Sequence, residues 1–217
     1  MNYMFVVAHP DDEVLGGGAF IHNALSQGHR VRVLILNADY EKTRDNMNAD
    51  IKASHKFLGN VESKLFAFRN MEFHRENQRE MVESIEQQIR EFHPDVIFTH
   101  WPHDLHNDHR ITSICTQQAA RLWQRHSAGH KVHALMFMEV QSSSEWSAVP
   151  FKPDTYVEIK AKDIHAKFEA LAAYQNVVRE PPHPRNPSCI MALATVRGSE
   201  IGYHLAEAFQ TCWRDSL

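Results

Sequence analysis

Two clusters of acidic and imidazole side chains carry the chemical potential of this sequence. The first, His9-Pro10-Asp11-Asp12-Glu13, packs one imidazole and three carboxylates into five residues. The second runs from His100 to Arg110 and holds histidines at 100, 103, 106 and 109 with aspartates at 104 and 108. Pro102 prevents one continuous helix from aligning all four histidines. A helix beginning near His106 instead puts His106 and His109 one turn apart on one face. Asp108 can then hydrogen-bond an imidazole and fix its tautomer. His9, Asp12 and His109 together make two histidines and one carboxylate with an open fourth position. That is a catalytic zinc set, because structural zinc sites use four protein ligands, often cysteines. A single Asp or Glu at a helix start is more often a cap or a partner of the helix dipole, and Glu13 alone reads that way. Capping does not explain His-Pro-Asp-Asp together. His100 and His103 read as loop histidines outside the ligand set.

The elements that must position these clusters follow from hydrophobic patterning. Short apolar runs at residues 3–8, 31–36, 96–99 and 134–140 read as buried strands. Amphipathic stretches at 14–27, 46–58, 75–92 and 110–126 read as helices, with Gly28 and Gly59 placed to stop the first two. This alternation predicts a single-domain, Rossmann-like α/β sandwich over residues 1–217, with a mostly parallel sheet and helices on both faces. Both clusters follow strands, so both open onto the carboxyl edge of the sheet, where ligands bind in such folds. Gly16-Gly17-Gly18 falls inside the helix, too late for a dinucleotide fingerprint; those glycines read as allowing close helix–sheet approach. Residues 141–153 form a polar loop, 155–159 a strand and 162–174 a helix. Residues 180–187 (EPPHPRNP) carry four prolines and suit neither a helix nor a central strand. Residues 206–212 fit strand or helix, with strand favoured.

Composition removes several function classes. Of 217 residues, 23 are Lys or Arg and 27 are Asp or Glu, a formal net charge of -4. No basic stripe marks a nucleic-acid surface. No apolar run approaches the roughly 20 residues of a membrane span, and the start lacks a signal-peptide pattern. Three scattered cysteines fit a reduced, cytoplasmic protein.

These residues resemble the LmbE-like, or PIG-L, zinc-dependent N-deacetylases. The match rests on His9-Pro10-Asp11-Asp12-Glu13 and on Asp104, His106, Asp108 and His109. It extends through Arg44, Arg197-Gly198 and Gly202 to Ala206-Glu207-Ala208-Phe209. The resemblance implies that His9, Asp12 and His109 bind Zn2+, with Fe2+ or Co2+ able to take the same ligands. It implies that Asp11 is the general base, that His106 stabilises the oxyanion or protonates the leaving amine, and that Asp108 tunes His106. Arg44, at the mouth of the site, Asp104 and His103 are the candidate substrate contacts, and the loop at 141–146 has the polar and aromatic mix of a sugar-facing surface. Arg179 and the prolines after it suggest a lid. Asn107 stands where many members have proline, and Leu205 where many have tyrosine. The expected reaction is hydrolysis of an acetamide on an N-acetyl amino sugar or glycoconjugate, without nucleic-acid or membrane partners and with homo-oligomerisation left open. A metal-dependent amidase for a non-sugar substrate and a non-hydrolytic nucleotide-binding module are the competing readings.

Overall fold

The computed structural model describes residues 1–38, 44–126 and 129–215, without the side chains of 44–46. In chain order the elements are β1 (Asn2–Val7), α1 (Asp12–Ser26), β2 (Arg30–Ile35), α2 (Arg44–Leu58), β3 (Glu62–Leu65), α3 (Gln78–Phe92), β4 (Val96–His100), α4 (Asn107–His126), β5 (Ala134–Met138), β6 (Thr155–Glu158), α5 (Ala161–Ala172), α6 (Pro187–Ser199) and β7 (Ala206–Arg214). A 3-10 turn, Ser144–Trp146, lies between β5 and β6.

One seven-stranded sheet runs in the order β3-β2-β1-β4-β5-β7-β6. The first five strands are parallel, and β7 runs antiparallel to both of its neighbours. Alternate side chains of β1 feed opposite faces, as strand geometry requires. Phe5 and Val7 pack with Val14, Ile21, Ile51 and Leu171 of α1, α2 and α5. Met4 and Val6 pack with Met81, Ile85, Ile89, Ile111 and Cys115 of α3 and α4. The result is the mostly parallel three-layer α/β fold that the alternating pattern predicts.

The chain leaves β1 towards β2 on one side and later returns to β4 on the other. The carboxyl ends of β1 and β4 therefore flank the switch point, where open α/β sheets bind ligands. Close approach of α1 to the sheet depends on its glycines. A Cβ on Gly16 would lie 2.5 Å from Met138 Sδ, and one on Gly17 would lie 2.7 Å from the Phe5 ring.

Two elements are not announced by the sequence. β3 (ESKL) is an exposed edge strand with no apolar alternation. α6 begins at Pro187, inside the segment read as helix-breaking; proline at the first turn costs no hydrogen bond, and the Asn186 side chain caps it by accepting from Ser188 N. Residues 206–214 are strand, as favoured.

Candidate metal centre and active site

β1 ends at Val7, and the chain turns through His9 to Asp11 before α1 begins. Asp11 sits at the helix N-cap with φ +92°, left-handed backbone that a non-glycine residue rarely adopts, and its side chain makes no capping bond. Departures of this kind concentrate at functional sites. β4 ends at His100, and α4 starts at Asn107, close to the helix start inferred from His106.

These two turns bring three donor atoms together. His9 Nδ1 lies 3.3 Å from Asp12 Oδ2, His109 Nε2 lies 3.3 Å from the same oxygen, and the two nitrogens are 3.3 Å apart. Ligands at about 2.0–2.1 Å around a tetrahedral ion stand roughly 3.3–3.4 Å from one another. The spacing of the triangle matches that of ligands around one metal ion. His100 lies near the same carboxylate, with Nε2 3.4 Å from Asp12 Oδ2. That nitrogen, however, accepts the Ala8 N–H at 2.9 Å, so its lone pair is occupied. Burial pushes His100 down to about 4, which keeps it neutral. It stacks on His109 at 3.9 Å and acts as a wall for that ring.

Each triangle histidine has a carboxylate at its far nitrogen. His9 Nε2 is 3.2 Å from Asp108 Oδ2, and His109 Nδ1 is 3.2 Å from Asp104 Oδ1, the latter off the line of a good hydrogen bond. Carboxylates so placed fix ring orientation and raise ligand basicity. One expectation is extended and one corrected here. The Asp108 carboxylate acts on His106 by its charge, but it also backs His9 and accepts from Met71 N at 2.7 Å and Phe73 N at 3.3 Å. Asp104 does not face substrate. It is fully buried, receives the Ser143 hydroxyl, and accepts from Ser144 Oγ at 2.6 Å and His106 N at 2.8 Å.

The charges of this cluster are strongly coupled. Burial disfavours a charged His109, but Asp12 and Asp104 outweigh it and hold the ring up to about 10. Burial would raise Asp12, yet the cationic His109 pulls it well below the usual carboxylate range. Burial raises Asp11 to about 7, although Arg185 opposes the shift. Burial, assisted by the neighbouring histidines, lowers His106 to about 4. His106 is therefore neutral, and because its Nδ1 accepts the Asp108 N–H at 3.2 Å, its own hydrogen sits on Nε2.

The triangle lies in the wall of an open cavity of about 530 Å³. Pro10, Asp11, Asn37, Met47, Asn70, Met71, His106, Ser142, Ser143 and Arg185 complete its lining. Of the expected substrate contacts, His103 is exposed, rests edge-on against Trp101 and lies outside this lining. Arg44 opens α2, and its side chain falls outside the described residues. Arg179 is exposed; Arg185 is the arginine of the proline-rich segment that reaches the site, through Asp11 Oδ2 at 2.9 Å. Sequence reasoning missed Arg185, Asn37, Asn70, Met47 and Met71. Glu13, read as a cap, is instead fully buried and accepts from Tyr174 Oη at 2.8 Å and from His55 Nε2 at 2.9 Å.

The family model for GlcNAc-PI de-N-acetylases (PIG-L) matches residues 4–120, more than half of the chain and the whole span of both motifs. The chain belongs to the PIG-L family. No curated protein matches it by sequence. Among solved structures it is similar to the zinc-inhibited form of the teicoplanin deacetylase Orf2, with a TM-score of 0.82, 15% identity, and 100% and 99% of the two chains covered. It is also similar to the N,N'-diacetylchitobiose deacetylase of Pyrococcus horikoshii, with a TM-score of 0.71, 17% identity, and 97% and 83% covered. GalB of Pseudomonas putida, a 4-carboxy-2-hydroxymuconate hydratase, shares the fold as well, with a TM-score of 0.75, 18% identity, and 100% and 98% covered. At such identities these likenesses establish the fold, and a fold hosts more than one chemistry.

Proposed function

We propose that the chain is a metal-dependent N-deacetylase that hydrolyses an acetamide on an N-acetylated amino sugar or its conjugate, releasing acetate and a primary amine. The observation that carries this reading is the triangle of His9 Nδ1, Asp12 Oδ2 and His109 Nε2, each pair of atoms 3.3 Å apart. The donor types favour Zn2+, with Fe2+ or Co2+ as alternatives. When bound, the ion supplies a Lewis acid for the carbonyl oxygen and lowers the pKa of its water from 15.7 to about 7.

The protein's own residues divide the remaining work. Asp11, beside the ligand Asp12, takes the proton of the attacking water as its oxygen bonds to the acetamide carbon. His106, neutral with its hydrogen on Nε2, donates a hydrogen bond to the developing oxyanion, and Asp11 passes the proton it took from water to the departing nitrogen. Donors of this kind contribute about 10²–10³ in rate, and acid–base assistance about 10²–10⁴. Asp108 and Asp104 hold the two ligand histidines in orientation. Asn37, Asn70 and Ser142 give the cavity amide and hydroxyl groups suited to sugar hydroxyls. Family membership and the deacetylases among the structural relatives support the reaction class.

The whole of residues 1–217 is proposed as one catalytic domain. No helix among the described residues is long and apolar enough to cross a membrane. Its three cysteines are unpaired, which supports a cytoplasmic setting. Metal analysis combined with acetate release from a panel of N-acetyl sugars and non-sugar acetamides tests the reading. One equivalent of metal with turnover of the sugars is expected. Full turnover of metal-stripped protein would overturn the metal reading, and turnover of the non-sugar amides alone would overturn the substrate class.

A further inference from the structure

The proline-rich strap at residues 180–187 brings one cation to the cavity wall. Arg185 is the only Lys or Arg among the described residues that line it. Its Nη1 donates to Asp11 Oδ2 at 2.9 Å, and its Nε donates to Ser142 Oγ at 2.7 Å. Both partners are non-glycine residues in left-handed backbone, Asp11 at φ +92° and Ser142 at φ +77°. One guanidinium therefore grips two of the three left-handed non-glycine positions described in the pocket lining, the third being Met71 at φ +60°, although the two lie far apart in sequence.

The position of Arg185 is itself determined on both sides. Before it, Pro184 O accepts from Gln141 Nε2 at 3.3 Å, and Arg185 N donates to His183 Nδ1 at 3.1 Å. After it, Asn186 caps α6 by accepting from Ser188 N at 2.8 Å, and its amide reaches Arg179 O at 3.4 Å. Proline restricts the segment further by fixing φ.

We infer that Arg185 is a positioning residue that keeps the Asp11 carboxylate aimed into the pocket and out of the helix cap, an inference that rests on the reading of Asp11 as the base. Aspartate at an N-cap ordinarily turns its side chain onto the free amides of the second or third helical residue. Asp11 occupies that position yet makes no such bond, because Arg185 holds Oδ2 instead. Among the described residues Oδ1 has no hydrogen-bond partner, so one defined oxygen is left to receive the proton of water. The same fork makes Ser142 Oγ an acceptor from Nε, which frees the Ser142 hydrogen to donate to a substrate oxygen. Guanidinium suits this double task because its donors lie in a rigid plane, which an ammonium cannot reproduce.

The test compares Arg185→Ala, Asp11→Asn and the double variant in the metal-loaded protein. Arg185→Ala should lower kcat about 10²-fold, the loss typical of a misplaced catalytic group, while KM and metal content stay near wild type. Added guanidinium should restore part of that kcat in Arg185→Ala and none in Asp11→Asn or the double variant. The double variant should be no slower than Asp11→Asn. Should Arg185→Ala fail to fold, Arg185→Met keeps the side-chain stem and is read the same way. An inactive Asp11→Asn beside an Arg185→Ala of undiminished kcat would overturn the inference and leave the base assignment standing. Metal loss in Arg185→Ala that guanidinium does not reverse would overturn it too. Wild-type turnover in Asp11→Asn would remove the base reading itself.

Discussion

The two turns that build the centre differ in construction. The turn after β1 is tight: His9, Asp11 and Asp12 follow within a few residues, and the backbone meets the demand by entering left-handed space at Asp11. The turn after β4 is longer, spreads Asp104, His106, Asp108 and His109 over six positions, and runs directly into α4. The first turn supplies carboxylates and one imidazole. The second supplies two imidazoles and both supporting carboxylates. Neither is complete alone, since Asp108 of the second turn backs His9 of the first, and Asp12 of the first faces His109 of the second. Each proposed ligand is thus oriented across the β1–β4 boundary, and damage to one turn propagates into the other.

The sharpest way to break this reciprocity is to delete a donor. His109→Ala removes one corner of the triangle and should abolish stoichiometric metal binding, measured by elemental analysis after gel filtration; full occupancy would strike His109 from the ligand set. Asp11→Asn should retain one metal per chain and lose about 10²–10⁴ in kcat, as loss of a general base does. Retained turnover would show that the first turn contributes only the ligands. The supporting carboxylates come next. Asp108→Asn and Asp104→Asn should each weaken metal affinity about 10–100-fold in a chelator competition. Asp104→Asn should also lower Tm more, because Ser143 Oγ, Ser144 Oγ and His106 N then share a weaker acceptor, against two backbone amides for Asp108. A Tm loss greater in Asp108→Asn would reverse the ranking of the two supports.

Proton linkage gives the smallest and most diagnostic effect. In the metal-free protein His109 is held up to about 10, against an ordinary value of 6.5. Its folded-state pKa is raised, so its contribution to stability is fully present below about pH 6.5 and is lost as pH rises through about 10. Metal must displace that proton. Uptake near pH 7.5 should therefore release at least one proton per ion, with His9 and the metal's water adding to the count, and apparent affinity should rise with pH. Titration calorimetry in buffers of different ionisation enthalpy reads the proton count; a count of zero would mean that His109 is neutral before the metal arrives.

The sheet and both motifs were legible because buried parallel strands are continuous apolar runs and because chemistry at a strand end stands out against them. The roles of the two aspartates were not legible. Spacing shows that Asp108 can meet an imidazole, but three imidazoles lie within reach, and only the crossing of the two turns decides that His9 is the partner. Arg185 escaped notice because a single arginine among prolines has no periodicity, and its contact with Asp11 spans 174 positions. β3 was missed for the opposite reason: an exposed edge strand needs little apolar character. α6 is hard to read because a proline within a run of prolines looks like a terminator, although it is a permitted first residue of a helix.

The placement of β7 has a consequence for the order of folding. It lies between β5 and β6, and β7 is the strand that β6 pairs with in the sheet. Glu207 within it accepts from the Phe20 amide at 2.6 Å and meets Lys167 at 2.7 Å, so α1 is tied to the same strand. On a ribosome the β3-β2-β1-β4-β5 half can assemble as its residues emerge, while β6 must wait, unpaired, until residues near 206–209 are free to insert. Pairings this distant in sequence are slow to form. That pairing therefore ties down the middle of the helix whose first residues hold the proposed metal ligand and base, and the site becomes rigid only after β7 has emerged.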